Sequence, residues 1–497
     1  MNKIKLNMII AFITKFMLIV AGIVSQRFVL KSFGSEINGL TSSISQFLSY
    51  FALLEAGLGL ASIQALYKPL AEKNKERIES ILAATAVQYR RIGVLFLLLT
   101  IVLSLFMPFL THSSLNNSLI FVLTLIMGLG SVINYLFIGR YQVLLNADHK
   151  VYVINTLDSV LGIVFRIINI IMINMGFNVI TVYAVGILSP VVRLTTLKIY
   201  FKKNYPNLSY KAKPDFASTN KKKYVFVHQI VGMITSHTDI VILTVFSTLS
   251  HVSVYSVYNF IYENIRMLVT ATFQSAVEPA FGKLVGSGNK NIDQYHRWYE
   301  LLITFFMSWL YSTALIMTMP FIKLYTSGVK DINYVDPVLA ILFMTFTFFM
   351  SIRIPALMLI NTNGAFKETQ RGAIIQAVLN IVVSLISFYF IGMRGLLLGT
   401  VVSSFYRMID VELYAHKYIL KQNLYDWLKL VCINITGMVL FAIVFMVLKP
   451  ICASGWISWL LEGIKSAIIG IIYFSIIFII FYKNDFMKII KSIKRNI

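Results

Sequence analysis

The sequence is poor in charged residues along its whole length. Only 13% of its 497 residues are charged, whereas about 25% is usual for a soluble domain. Hydrophobic residues make up 58%, and they fall in apolar runs of about 20–30 residues. Runs of that length suit spanning helices, whereas a membrane barrel would show alternating strands of about ten residues. The chain is therefore expected to be an all-α integral membrane protein.

Cysteine is also scarce. Cys432 and Cys452 stand apart and form none of the paired spacings of a metal or redox site. We expect Cys432 to be buried in a helix and Cys452 to lie in a loop, with no disulfide, metal or cofactor. The first apolar stretch, Met8 to Leu30, is too long for a signal-peptide core and carries Lys15 and Arg27. It is predicted to be a retained spanning helix.

The apolar runs predict about fourteen transmembrane helices. These cover residues 8–30, 37–67, 91–111, 119–145, 151–174, 180–201, 224–248, 252–283, 298–325, 336–361, 371–391, 395–420, 428–449 and 459–482. The connections between them alternate sharply between basic and nearly uncharged. About 30 of the 44 Lys and Arg residues lie in one set, which includes both chain ends and residues 68–91 and 198–223. Because basic loops stay in the cytoplasm, both termini are predicted to be cytoplasmic.

The net charge of +23 follows from the same pattern. Basic loops set the orientation of the protein and attract anionic lipid head groups, so membrane lipids are the expected partners and nucleic acid is not. The connections on the opposite side are all short, about ten residues or fewer. They leave no room for a folded catalytic loop, which argues against an enzyme acting on the outer face.

Short motifs recur in the two halves in the same order. Gln88–Arg91 is matched by Gln294–Arg297, and Met107–Phe109 by Met319–Phe321. The repeat predicts two six-helix lobes, residues 1–201 and 224–420, joined by a basic linker at 202–223. Residues 421–497 are then two peripheral helices and a basic tail. An even number of helices per lobe places the symmetry axis along the membrane normal and the expected substrate site between the halves.

The eighth predicted helix carries one polar face. Its members follow one another at spacings of 4, 3, 4, 4 and 4: Asn259, Glu263, Arg266, Thr270, Gln274 and Glu278. A polar stripe of that length cannot face lipid, so it is expected to line a hydrophilic cavity. The alternative is a buried structural network in which Glu263 and Arg266 neutralise each other.

Other intramembrane polar residues are also candidates, because a charge in the bilayer usually has a function. Cationic groups suit an anionic head group, since Arg can bind phosphate bidentately; they are Lys15, Arg166, Arg266 and Arg353. Asn155 shares a helix face with Arg166 and is expected to line the same cavity. Acidic residues suit a coupling cation; they are Asp239, Asp158 and Glu55. Arg407 and Asp410 form an i,i+3 pair that could be purely structural.

Five segments resemble the oligosaccharide flippases, of Wzx or polysaccharide-transport type, within the multidrug/oligosaccharidyl-lipid/polysaccharide exporter superfamily. They are Phe33–Leu40, Leu53–Gly59, Ala65–Ala71, Thr238–Leu243 and Val252–Asn259. The resemblance implies two six-helix lobes around a cavity that opens alternately to each side of a bacterial cytoplasmic membrane. It also implies an undecaprenyl-pyrophosphate-linked oligosaccharide as substrate, destined for capsule, O-antigen or exopolysaccharide. Partnership with other polysaccharide-assembly proteins stays open.

The resemblance further implies cationic residues on helices one and eight near the pyrophosphate, where Lys15 and Arg266 fit. Two other functions remain as alternatives. A multidrug or organic-cation antiporter of the same superfamily would require an acidic cavity. The cationic residues Lys15, Arg166, Arg266 and Arg353 argue against this function. A membrane polysaccharide polymerase or glycosyltransferase would need the outer loop that this chain lacks.

Overall fold

A computed structural model gives the fold of the chain. It describes residues 3–496 except 56, 207, 209–211, 218–222, 288–290, 446–450 and 452, and only the backbone of 3–15, 223–228, 275–276, 484 and 486–496. The α-helices are α1 Lys3–Phe51, α2 Leu58–Ala71, α3 Lys75–Leu110, α4 Asn117–Ile133, α5 Gly139–Ala147, α6 Val151–Asn174, α7 Val179–Gly186, α8 Leu188–Asn204, α9 Lys223–Phe246, α10 Leu249–Val269, α11 Ser275–Gly286, α12 Ile292–Tyr325, α13 Pro337–Ile352, α14 Ile354–Thr362, α15 Gln370–Tyr414, α16 Tyr425–Ile443 and α17 Trp456–Asn496. Three π-helical turns, Asn134–Ile138, Thr270–Gln274 and Ala415–Leu420, and a 3-10 turn, Ala52–Glu55, connect some of them.

The described helices agree with the all-α fold and the predicted number of spans. Eleven segments are long and apolar enough to cross a membrane. Two of these are broken well inside their length, one at Gly34 and one at Ile391–Gly392, and each supplies two predicted spans. The polar helix α10, continued by α11, supplies the remaining span, and its many polar residues give it a lower mean hydropathy than the eleven apolar segments. Within the described residues the fourteen predicted helices are thus all present.

Large apolar side chains on the helix surfaces fit a lipid environment. Phe109, Phe390 and Ile457 are each at least three-quarters exposed. Soluble monomers rarely expose large contiguous apolar surface, whereas a lipid bilayer covers it at no cost. Cys432 also lies on an exposed surface, of α16, so its predicted burial is wrong; Cys452 lies outside the described residues. An apolar helix facing lipid and one facing protein have similar compositions, and the sequence could not separate them.

The break in α1 is stabilised by an aspartate far away in the chain. Gly34 has φ +83°, a conformation that suits glycine, and the helix restarts at Ser35. Asp331 accepts hydrogen bonds from the backbone N–H and the hydroxyl of Ser35, both at 2.7 Å. It therefore caps the second half of α1 from outside, as an N-cap side chain would.

Removing this cap should destabilise the protein measurably. We expect Asp331→Ala to lower the free energy of unfolding by about 1–2 kcal/mol, the usual cost of losing an N-cap. The measurement is thermal unfolding of the purified protein in detergent. Lys330→Ala is the matched control because Lys330 is the exposed neighbour of Asp331. Equal melting temperatures for both variants would mean that the cap contributes nothing.

The helices pack into two compact units. The first comprises residues 1–254 with 329–332, and the second comprises 255–328 with 333–497. In the first unit α1 packs against α6 and α9; in the second, α12 packs against α13, α16 and α17. The units divide within α10, whereas the predicted lobes divide at the linker 202–223, so the repeat-based boundaries remain a prediction. Trp309 of α12 donates a hydrogen bond of 2.8 Å from Nε1 to the backbone carbonyl of Ala467 in the last helix, α17.

Candidate functional site

The polar stripe of the eighth predicted helix contains an ion pair in the second unit. The Arg266 guanidinium contacts both carboxylate oxygens of Glu263, with Nη2 at 2.7 Å from Oε2 and Nε at 3.1 Å from Oε1. Both side chains are about one-quarter exposed. Asn259, one turn before Glu263, is half-buried. The predicted pairing of Glu263 with Arg266 is therefore present, and their predicted roles in the cavity remain predictions.

A π-helical turn, Thr270–Gln274, interrupts the helix within this stripe. An α-helix has about 3.6 residues per turn, so residues spaced by four drift gradually around its surface. The π turn includes one extra residue, which brings the later residues of the stripe back toward the same face. Thr270 donates to the carbonyl of Arg266, and Gln274 Nε2 lies 3.4 Å from Glu278. Asn361 of α14 donates to the other oxygen of Glu278 at 3.1 Å. The cavity-lining role predicted for Thr270 and Gln274 remains a prediction.

Arg353 occupies a break between two helices and is nine-tenths buried. It separates α13 from α14, where Pro355 in the first turn removes a backbone donor. Its Nε and Nη1 atoms have no hydrogen-bond partner among the described residues. A buried guanidinium with unsatisfied donors is costly unless it is paired, so its two unsatisfied N–H groups are suited to an anion.

Arg353 belongs to a group of three arginines in the second unit. It is close enough to Arg266 and Arg407 for electrostatic repulsion and to Asp410 for attraction. Arg407 is buried, forms an ion pair with Asp410 and donates to the carbonyl of Thr369 at 3.2 Å. We call Arg266, Arg353 and Arg407 the arginine cluster. The i,i+3 spacing of Arg407 and Asp410 predicted their pairing, whereas the proximity of Arg407 to Arg353 depends on tertiary packing.

Close packing around this cluster depends on a glycine and a tyrosine. A Cβ at Gly372 would lie 2.0 Å from Asp410 Oδ2 and 2.6 Å from Arg407 Nη1, so only glycine leaves room for the pair. Tyr311 is fully buried, shares a 2.7 Å hydrogen bond with Ser351 and interacts electrostatically with Arg266. The cluster thus lies among α10, α12, α13 and α15, with two acids for three cations.

The candidates of the first unit have protein partners. Arg166 donates through Nη1 to the backbone carbonyl of Leu18 in α1. Asp158 is held by Arg193 of α8, with Nε–Oδ1 at 2.7 Å and Nη2–Oδ2 at 2.8 Å. Glu55 accepts a hydrogen bond from Tyr89. Each of these groups stabilises packing between helices, and their roles in substrate binding or ion coupling remain predictions.

The three further candidates of the first unit are Asp239, Asn155 and Lys15. Asp239 is buried in α9 and lies close to Tyr50, whose hydroxyl hydrogen-bonds Thr238 at 2.5 Å. Asn155 is exposed on α6. Lys15 belongs to α1, where the structure describes its backbone but not its side chain.

No protein-family model and no curated protein sequence matches this chain, but solved structures do. A lipid II flippase MurJ in an inward closed conformation matches with a TM-score of 0.72 and 16% identity, over 95% of this chain and 99% of that one. An inward-facing multidrug resistance MATE family transporter of the MOP superfamily matches with a TM-score of 0.62 and 14% identity, over 83% and 98%. The MATE multidrug transporter DinF-BH matches with a TM-score of 0.59 and 16% identity, over 82% and 93%. The chain therefore has the fold shared by these transporters.

Proposed function

We propose that this protein is a flippase that moves an undecaprenyl-pyrophosphate-linked oligosaccharide from the cytoplasmic to the outer leaflet of a bacterial membrane. It belongs, on this proposal, with the oligosaccharide flippases of surface-polysaccharide synthesis that the sequence resembles. The observation that carries the proposal is Arg353, buried with two N–H groups that have no partner among the described residues. An anionic substrate would satisfy them.

The arginine cluster supports an anionic substrate such as a pyrophosphate. Glu263 and Asp410 balance two of its three cations. Guanidinium groups bind phosphate oxygens in bidentate geometry, and several of them can share the charge of a pyrophosphate. The fold shared with a lipid II flippase over nearly the whole chain agrees with a lipid-linked substrate.

The second candidate is a multidrug or organic-cation antiporter, which the fold shared with MATE transporters favours. Its substrate would carry positive charge. Arg353 would repel such a molecule across a low-dielectric interior, where the repulsion is weakly screened. We therefore rank this function below the flippase.

Reconstitution into liposomes tests the choice of substrate. We expect the protein to move a fluorescent undecaprenyl-pyrophosphate oligosaccharide between leaflets, measured by its accessibility to a membrane-impermeant quencher. A neutral lipid-linked sugar without phosphate should move at the rate of protein-free liposomes, because it lacks the anion that the arginines bind. The control is uptake of a cationic dye under a pH or sodium gradient. Dye uptake without lipid movement would refute the flippase and support the antiporter.

A further inference from the structure

Four buried His and Glu side chains meet where α12 lies beside the C-terminal end of α15. His296 and Glu300 are one turn apart on α12, and Glu412 and His416 are one turn apart across the junction with the π turn Ala415–Leu420. Their exposed fractions range from 0% to 4%. Neither the transport proposal nor the arginine cluster uses any of them. Glu300, Glu412 and His416 each bring one ligand atom within 4.8 Å of the others.

The separations between these side chains suit a shared ion better than direct hydrogen bonds. Glu300 Oε1 lies 3.5 Å from His296 Nδ1 and 3.6 Å from His416 Nε2. Good hydrogen bonds between nitrogen and oxygen are about 2.7–3.2 Å long. Ligands bound to zinc at about 2.0–2.2 Å in a tetrahedron lie roughly 3.3–3.6 Å from one another.

Several atoms of the cluster have no hydrogen-bond partner among the described residues. They are both carboxylate oxygens of Glu412, Oε1 of Glu300 and Nε2 of His296. Arg297 lies 3.5 Å from the other oxygen of Glu300 and balances at most one of the two carboxylates. Buried unsatisfied charge is costly, and a divalent cation would supply both the missing charge and the missing partner.

His416 is already oriented as a metal ligand. Its Nδ1 lies 3.1 Å from the backbone carbonyl of Glu412, which can only accept a hydrogen bond. Nδ1 therefore carries the proton, and Nε2, which faces Glu300, keeps its lone pair. Metal-binding histidines commonly donate their second ring N–H to a carbonyl in this way. The π turn that carries His416 is a feature often found at functional sites.

A polar cavity offers a route to the cluster. Its volume is about 810 Å³, and Glu300 and His416 form part of its wall. Three further acids, Asp293, Asp426 and Asp485, outnumber the two basic residues of the wall, Arg297 and Lys429. Carboxylates around the cavity would raise the local concentration of cations.

We propose that Glu300, Glu412 and His416 form a binding site for a divalent transition-metal cation of the zinc type, with His296 beside it. An imidazole among the ligands favours such ions over magnesium or calcium, which prefer oxygen. The site would join α12 to the end of α15 within the second unit. It is independent of the proposed transport activity and can be tested without it.

Equilibrium binding to the purified full-length protein in detergent tests the site, with Zn²⁺ alone as the probe. We expect one Zn²⁺ per chain and a rise in melting temperature that a chelator reverses. Glu412→Gln and His416→Asn should weaken binding at least about tenfold, since even groups outside the ligand shell typically account for 10–100-fold. His251→Asn is the control because His251 is exposed and bonded to Ser247 and Thr248. It should leave binding unchanged.

Cobalt binding to the wild-type protein tests the site without any variant, so the result does not depend on whether the variants fold. Co²⁺ should give the visible absorption bands of a four-coordinate nitrogen and oxygen site, and added Zn²⁺ should abolish them. The alternative is that no metal binds and that protons neutralise the two carboxylates. In that case Zn²⁺ leaves the melting temperature unchanged and Co²⁺ gives no such bands, and either result overturns the metal site.

Discussion

Arg353→Met should abolish transport while leaving the protein at least as stable as the wild type. The wild-type side chain is nine-tenths buried with two unpartnered donors among the described residues, and an unpaired buried charge usually costs several kcal/mol. Methionine removes that charge and roughly fills the volume. Truncating a buried charged contact to a ligand costs about 2–5 kcal/mol, so flipping should fall roughly 30-fold or more.

Two measurements on the same preparation decide this prediction: melting temperature in detergent and leaflet exchange of the lipid-linked oligosaccharide in liposomes. Arg394→Met is the matched control, because Arg394 is more than half exposed and paired with Asp336 at 2.9 Å. It should transport normally. If Arg353→Met loses transport and melts well below the wild type, Arg353 is a packing residue and the flippase proposal loses its main support.

Arg266 should prove to be both a partner of Glu263 and a ligand for phosphate. Arg266→Ala alone leaves Glu263 without its ion pair, at a cost of about 3–5 kcal/mol, so this variant should fold poorly. The double variant Arg266→Ala with Glu263→Gln removes both charges and should restore folding and membrane insertion. It should still fail to flip the substrate, because the guanidinium is absent.

Arg266→Lys gives a graded control for the same site. Lysine keeps the charge but loses the planar fork that meets two oxygens at once, so part of the activity should return. Folding is read from the melting temperature, and flipping from leaflet exchange. Transport regained by the double variant would assign Arg266 a structural role only.

The helices themselves follow from the sequence alone. Backbone groups in lipid must find partners within the same segment, so an apolar run of about 20 residues has little alternative to a helix. This is why fourteen spans could be predicted and are present in the described residues. The polar face of the eighth predicted helix was visible for a related reason, since a stripe of charge cannot face lipid.

The partners of the polar groups were decided by tertiary packing. Glu263 and Arg266 could be paired from the sequence because neighbours three apart on a helix must be close. Asp158 meets Arg193, 35 residues away on another helix, and Asp331 caps a helix that begins 296 residues earlier. Helix periodicity orients a side chain around its own helix and says nothing about which other helix it will face.

The same limit explains the His and Glu cluster and the misplaced Cys432. His296 with Glu300 and Glu412 with His416 are two i,i+4 pairs, a spacing that puts both members on one face of a helix. Each pair taken alone predicts at most a local contact, and no metal was expected. Only the packing of α12 against the end of α15 brings the pairs together away from lipid. Lipid and the protein interior are both apolar, so hydrophobicity does not tell which face of a helix will be buried against protein. That depends on the shape of the neighbouring helices and on their side chains.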